Sequence, residues 1–168
     1  MKFFTLISLL SIFSLVQDNR GYKVSIGDPL PNIELQLVDG TTLNNKDLEG
    51  KVVVLQFTAS WCGVCRKEMP HLEKEVWQRF KDQDFILIGI DLKEDEQTVR
   101  KFIESTAITY PIAMDKDGAI FEKFTIEKAG VTRNIVIDKN GQIVFLTRLF
   151  EKKEFNKMIE VIDKELKN

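Results

Sequence analysis

The chain has 168 residues, enough for one domain with a sizeable buried core. Its 43% hydrophobic and 30% charged residues are those of a globular protein. A net charge of -2 supplies no electrostatic footprint for nucleic acid or for an anionic membrane surface, so neither is expected as a partner.

The N-terminus departs from this average. Met1-Lys2 is followed by Phe3 to Val16, uncharged and with only Ser and Thr as polar residues, and then by Gln17-Asp18-Asn19-Arg20. A positive start, an apolar run and a polar exit predict a secretory signal or N-terminal anchor over 1–20, leaving 21–168 as the domain. As a helix the apolar run covers about 21 Å at ~1.5 Å per residue, short of the roughly 30 Å hydrocarbon core. A buried N-terminal helix is the competing reading. No Ala-x-Ala-like pair marks the cleavage site, so removal is expected between Gln17 and Gly21, with an uncleaved anchor as the other outcome. The expected location is exported, in the periplasm or cell envelope, with membrane contact only through this segment.

Gly27, Pro29 and Pro31 predict an extended lead-in over 22–31 with little regular structure. Ile33 to Leu37 alternates as a half-buried strand, Asp39-Gly40 turns, and Thr41 to Leu43 returns as a second. Asp47 to Lys51 is a polar connector. Val52 to Phe57 is apolar and β-branched, the pattern of a central strand covered on both faces. Met69, Leu72, Val76 and Phe80 then share one helical face, and Pro70 predicts a kink there. Phe85 to Ile90 is a second buried strand ending at Asp91. Asp95 to Ser105 is a helix with Val99, Phe102 and Ile103 facing in. Tyr110 to Met114 is short and extended, and Asp117-Gly118 leads into a helix carrying Ile120, Phe121 and Phe124. Asn134 to Asp138 and Ile143 to Thr147 form a hairpin about Asn140-Gly141. Phe155, Met158, Ile159, Ile162 and Leu166 stripe a closing amphipathic helix. Buried strands with crossover helices, followed by a hairpin, predict an α/β fold with one mixed sheet.

The 2 cysteines lie together in Trp61-Cys62-Gly63-Val64-Cys65, between the first central strand and its helix. An exported protein usually spends cysteines as staples, but a pair this close closes no distant loop. At a helix N-terminus the free N–H groups and the dipole favour the thiolate of Cys62, the reactive form. Gly63 allows a tight turn and an approachable sulfur. Cys65, one turn on, is placed to attack a mixed disulfide on Cys62. Cys62 is thus read as the exposed nucleophile and Cys65 as the buried resolving thiol. Zinc would need further ligands, and the single histidine, His71, cannot complete a four-ligand site. No metal and no cofactor are expected, and His71 reads as a surface or packing residue.

The string Phe57-Thr58-Ala59-Ser60-Trp61-Cys62-Gly63-Val64-Cys65-Arg66-Lys67-Glu68-Met69-Pro70 resembles the active-site segment of the thioredoxin superfamily. It is most similar to the exported thiol–disulfide oxidoreductases of the TlpA/ResA kind, over about 27 to 165. That resemblance implies a thioredoxin-like fold, a central mixed sheet flanked by helices, with an N-terminal β-hairpin extension. It implies an enzyme that reduces disulfides of cysteine-containing envelope proteins and is recharged by an upstream thiol electron donor, membrane-bound in one version. Trp61, Gly63 and Val64 beside the nucleophile, and Val131 and Thr132 opposite it, are the implied substrate-binding positions. Gln56 stands where cytosolic thioredoxins carry a buried Asp, so Cys65 needs another base. The family's acid after the second main strand corresponds to Glu94, with Asp91 as the alternative; Glu94 acting only as a helix cap is the bland reading. Thr132 stands where the family places a cis-proline. A cis bond before a non-proline residue costs ~2.5–4 kcal/mol, so a trans bond, or strain kept for function, is expected. Arg133 is expected to add positive charge near the thiolate.

Two other functions stay in view. Peroxiredoxins share the fold, but their Pro-x-x-x-Thr-x-x-Cys loop is absent here, leaving peroxide reduction as an alternative carried by Thr132. The other is a non-catalytic, redox-sensitive binding domain.

Overall fold

The structure, a computed structural model, describes residues 20–168. The leader expected over 1–20 therefore lies outside the described residues, Arg20 excepted. Among the described residues no helix is long and apolar enough to cross a membrane.

The β-branched run of the first central strand becomes β3 (Val52–Thr58), buried at every position. It pairs in parallel with β4 (Phe85–Leu92), which pairs in parallel with β5 (Ile112–Asp115). On its other side β3 meets β6 (Arg133–Ile137) antiparallel, and β6 meets β7 (Ile143–Leu146). The sheet order is β5-β4-β3-β6-β7, and a separate hairpin joins β1 (Glu34–Gln36) to β2 (Thr42–Asn44). This is the expected α/β architecture, mixed sheet and N-terminal hairpin included. The polar connector after β2 holds more order than its composition predicts. Asn44 and Asp47 form a reciprocal capping box that supports α1 (Asn45–Leu48).

One sheet face packs on α2 (Gly63–His71), a π-helical segment (Leu72–Trp77), α3 (Gln78–Phe80), α4 (Glu96–Thr106) and α6 (Lys152–Lys167). Met69, Leu72, Val76 and Phe80 are all buried there. Pro70 has no N–H for the carbonyl one turn back, and its ring crowds that turn. The ladder opens from α to π geometry two residues later, an accommodation of the kind expected around a helical proline. The other face holds α5 (Ala119–Phe124), the hairpin and the lead-in, with Phe57 packed edge-on to Phe121.

The lead-in is more regular than its prolines predict. Gly27 N–H donates to Ile143 and Ile143 N–H donates to Asp28, so this segment runs along β7. Beyond the hairpin, Val38 N–H donates to Ile112 and Leu37 bridges Ala113 on β5. The N-terminal extension thus covers part of both sheet edges, which would otherwise present unpaired backbone groups.

Candidate active site

Cys62 and Cys65 are joined as a disulfide, with Cα atoms 5.3 Å apart. Cys62 is the N-cap of α2, in extended conformation, and its Sγ accepts the Cys65 N–H at 3.2 Å. A thiolate at that position is stabilised by the same N–H and by the helix dipole. Cys65 is fully buried, Cys62 is 8% exposed, and the neighbouring Trp61 is 65% exposed. The expectation of an exposed Cys62 is thus corrected: it is nearly as enclosed as Cys65, packed against Thr132, and the exposed group beside it is Trp61. Gly63 lies in α2 with open space around its α-carbon, and Val64 is partly buried against the core.

The turn carrying Trp61 and Cys62 is held through Ser60. Ser60 N–H and Oγ–H both donate to the Glu94 carboxylate, one to each oxygen. Arg66 Nε donates to Ser60 O at 2.7 Å, and its guanidinium lies over Phe102. Asp95, not Glu94, caps α4 by accepting Thr98 N–H at 2.8 Å. Glu94 is thus not the helix cap, and its carboxylate binds Ser60 rather than either sulfur.

Across from α2 the antiparallel register Phe57↔Arg133 brings the start of β6 to the end of β3. Thr132 N–H donates to Phe57 O at 3.0 Å, which carries Thr132 to the dithiol. Its Oγ1 stands 3.1 Å from Cys62 Sγ and 3.1 Å from Cys65 Sγ. No peptide bond among the described residues is cis, and Thr132 has φ 64, a left-handed conformation costly for a β-branched residue. The bond is trans, as expected, and the positive φ is a separate strain that the sequence did not predict. Val131 is buried, and its carbonyl accepts Arg148 Nη1 at 3.1 Å.

Arg133 corrects an expectation. Its side chain runs away from the sulfurs, donating to Gly130 O and Arg20 O and lying 4.5 Å from the Tyr22 ring centre. Alternation explains this: Arg133 projects from β6 to the face opposite its neighbour Asn134. It anchors the lead-in instead of charging the dithiol. His71 is a packing residue, paired with Glu75 and stacked 5.0 Å from Phe150.

The sequence reading missed the role open to Glu68. It lies one helical turn beyond Cys65 and is 1% exposed. Asn134 Nδ2 donates to it at 2.7 Å and Gln56 Nε2 at 3.3 Å, while Tyr110 Oη donates to Gln56 Oε1 at 2.8 Å. Burial pushes its carboxyl up to about 7 against the pull of these two amide donors. The signal was available: an acid inside the apolar face of the predicted helix, in a chain whose strand offers only Gln56. Asp91 is also buried, in register with Thr58, with neither oxygen hydrogen-bonded. Burial foremost, and then the neighbouring Glu94, push it up to about 8.

The sequence profile of the AhpC/TSA family matches residues 26–146. A thiol–disulfide oxidoreductase ResA from Bacillus cereus is 32% identical over 122 residues, spanning 73% of this chain and 69% of the relative. The solution structure of a “putative protein disulfide isomerase” from Bacteroides thetaiotaomicron superposes with a TM-score of 0.85 at 48% identity, covering 88% of this chain and 94% of that one. The thioredoxin domain of a thiol–disulfide oxidoreductase from Bacteroides vulgatus superposes at 0.71 with 25% identity, covering 83% and 99%. A cysteine pair at a helix N-terminus, one sulfur at the N-cap beside an exposed aromatic and one within the first turn, suits exchange with a second disulfide. The chain belongs to the AhpC/TSA family and, within it, to the ResA-like thiol–disulfide oxidoreductases.

Proposed function

We propose that this oxidoreductase works as a reductant of disulfides in cysteine-containing proteins of the cell envelope. The observation that carries the assignment of roles is the asymmetry of the pair: Cys62 is the N-cap of α2, its Sγ bonded by the Cys65 N–H and next to exposed Trp61, while Cys65 lies inside the helix with no exposure. The Cys62 thiolate attacks one sulfur of the target disulfide, forming a mixed disulfide and releasing the other target sulfur as a thiolate. Cys65, deprotonated, attacks Cys62 Sγ, closing the Cys62–Cys65 bond and releasing the second target thiolate. Two electrons pass to the target, whose thiolates take up two protons, and an upstream thiol donor must reopen the pair. Trp61 is the exposed surface against which the target rests. Glu68 is the group best suited to take the Cys65 proton, because it is buried nearby and titrates near neutrality. Glu94 acts by positioning Ser60 and the turn above it. The apolar leader of the sequence supports export, which the absence of any other cysteine leaves compatible with a purely catalytic pair.

Insulin reduction with dithiothreitol tests the reading. Wild type should accelerate it, Cys62→Ser should abolish the acceleration, and Glu68→Gln should remove an inflection of the rate near pH 7. Equal slow rates in wild type and Cys62→Ser would sink the enzyme reading. A reduction potential at the oxidising end of the about -270 to -120 mV range would reverse the direction.

A further inference from the structure

Thiol–disulfide exchange needs the two sulfurs, yet a third side chain touches both. Thr132 Oγ1 is equidistant from Cys62 Sγ and Cys65 Sγ at 3.1 Å. Its position is tightly determined. The residue is 1% exposed, its N–H is bonded to Phe57 O, and its C=O accepts Leu149 N–H at 2.9 Å. Both of its backbone polar groups are therefore engaged within the protein, and the adjacent Val131 carbonyl is taken by Arg148. The chain holds a β-branched residue at φ 64 here, where a glycine or asparagine would be accommodated more easily. What the strained backbone delivers to the dithiol is a hydroxyl.

A hydroxyl carries one hydrogen, which it can aim at one acceptor at a time. Sulfur in a disulfide is a weak acceptor. Sulfur as a thiolate is charged, and a hydrogen bond to a charged acceptor is roughly twice as strong as a neutral one. Rotation about the Cβ–Oγ1 bond is enough to redirect the hydrogen between two sulfurs at equal distance.

We infer that Thr132 is a catalytic residue of the exchange, its hydroxyl donating to whichever cysteine sulfur carries the negative charge. In the reduced protein it supports the Cys62 thiolate, alongside the Cys65 N–H. After the mixed disulfide forms, Cys62 is uncharged and the hydroxyl turns to the Cys65 thiolate, holding it in line with Cys62 Sγ. The hydroxyl keeps its proton throughout, so the balance of two electrons and two protons is unaltered. The inference rests on the proposed roles of Cys62 as nucleophile and Cys65 as resolving thiol.

Thr132→Ser and Thr132→Ala differ by one oxygen, and both relieve the β-branched strain equally, which makes them the informative pair. The readouts are the pH profile of Cys62 alkylation by iodoacetamide in the reduced protein, and the equilibrium with glutathione. In Thr132→Ala the alkylation midpoint should rise by about one pH unit, since the thiolate loses a donor. The reduced state should also lose about tenfold in relative stability, moving the potential about 30 mV lower. Thr132→Ser should stay close to wild type in both. Identical midpoints and potentials for Ser and Ala would overturn the inference, whatever their thermal stability. The pair is distinguishable from a failure of the functional reading, in which wild type itself would show no rapid alkylation of Cys62. Should Ala lower thermal stability while matching Ser in midpoint and potential, Thr132 is structural and the inference falls.

Discussion

Asp91 holds a carboxyl in the interior with neither oxygen hydrogen-bonded, and burial together with Glu94 pushes it up to about 8. Glu68, better partnered, is pushed up to about 7, chiefly by burial. In an unfolded chain both groups release their protons near pH 4. Between that pH and their folded values the native state binds more protons than the unfolded one, so stability falls as pH rises through the window. Above about 8 the loss is complete. Asp91→Asn keeps the shape and cannot ionise, so it should flatten the profile. Its melting temperature should exceed wild type by several degrees at pH 8 to 9, at about 2–4 °C per kcal/mol for a chain of this length, and match it near pH 4. Thermal melts across pH 4 to 9 check this, and a wild type that gains stability from pH 5 to 8 would contradict it. Glu68 has the clearer chemical use, because its two amide donors aim the carboxylate and its titration falls where exchange operates.

The site belongs to no single element. The end of β3, the N-terminus of α2 and the loop before β6 meet at the two sulfurs, and the approach to α4 braces the turn beside them. Glu94 is the joint between two of them, since its carboxylate satisfies the N–H and the hydroxyl of Ser60. Glu94→Ala leaves both donors without that acceptor and should slow exchange about tenfold by misplacing Cys62. Glu94→Gln still offers an amide oxygen and should retain most of the rate, with an unchanged pH profile. Insulin reduction from pH 6 to 9 separates the roles, because a proton acceptor would make Gln as damaging as Ala. Helix α2 carries its own compromise. Pro70 lies near the end of a helix that must present Cys62 at one end and bury Met69, and the π-helical segment that follows continues the buried face through Leu72 and Val76.

At the scale of the molecule, the N-terminal extension protects the sheet. Residues 27 and 28 run along β7, Leu37 and Val38 reach β5, and Tyr22 is buried against Arg133. A chain beginning at Asn32 would expose the β7 edge and leave the Arg133 guanidinium without its Tyr22 ring and Arg20 carbonyl. It should melt about 10 °C lower or more, given the loss of buried Tyr22 and Val24, and should aggregate on heating. Calorimetry with light scattering reads both effects, and an unchanged melting temperature would refute the protective role.

Residue order alone determined the central strands, the helix faces, the Asn140-Gly141 turn and the placement of Cys62 and Cys65 at a strand-to-helix junction. These follow from local periodicity and turn chemistry, which act between near neighbours in the chain. The string from Phe57 to Pro70 carried the family for the same reason, being one continuous segment. Contacts across long stretches of sequence were decided only by the tertiary structure. Glu94 turning to Ser60 depends on the parallel β3–β4 pairing that brings the ends of the two strands together, and Arg133 turning to Tyr22 rather than to the thiolate on the alternation of side chains across a sheet. Glu68 was visible as an acid on an apolar helix face, but its burial against Gln56 and Asn134 needed three elements to meet. Thr132 was legible as a departure from proline. That its hydroxyl stands equally close to both sulfurs is a consequence of the β3–β6 pairing, which no local pattern encodes.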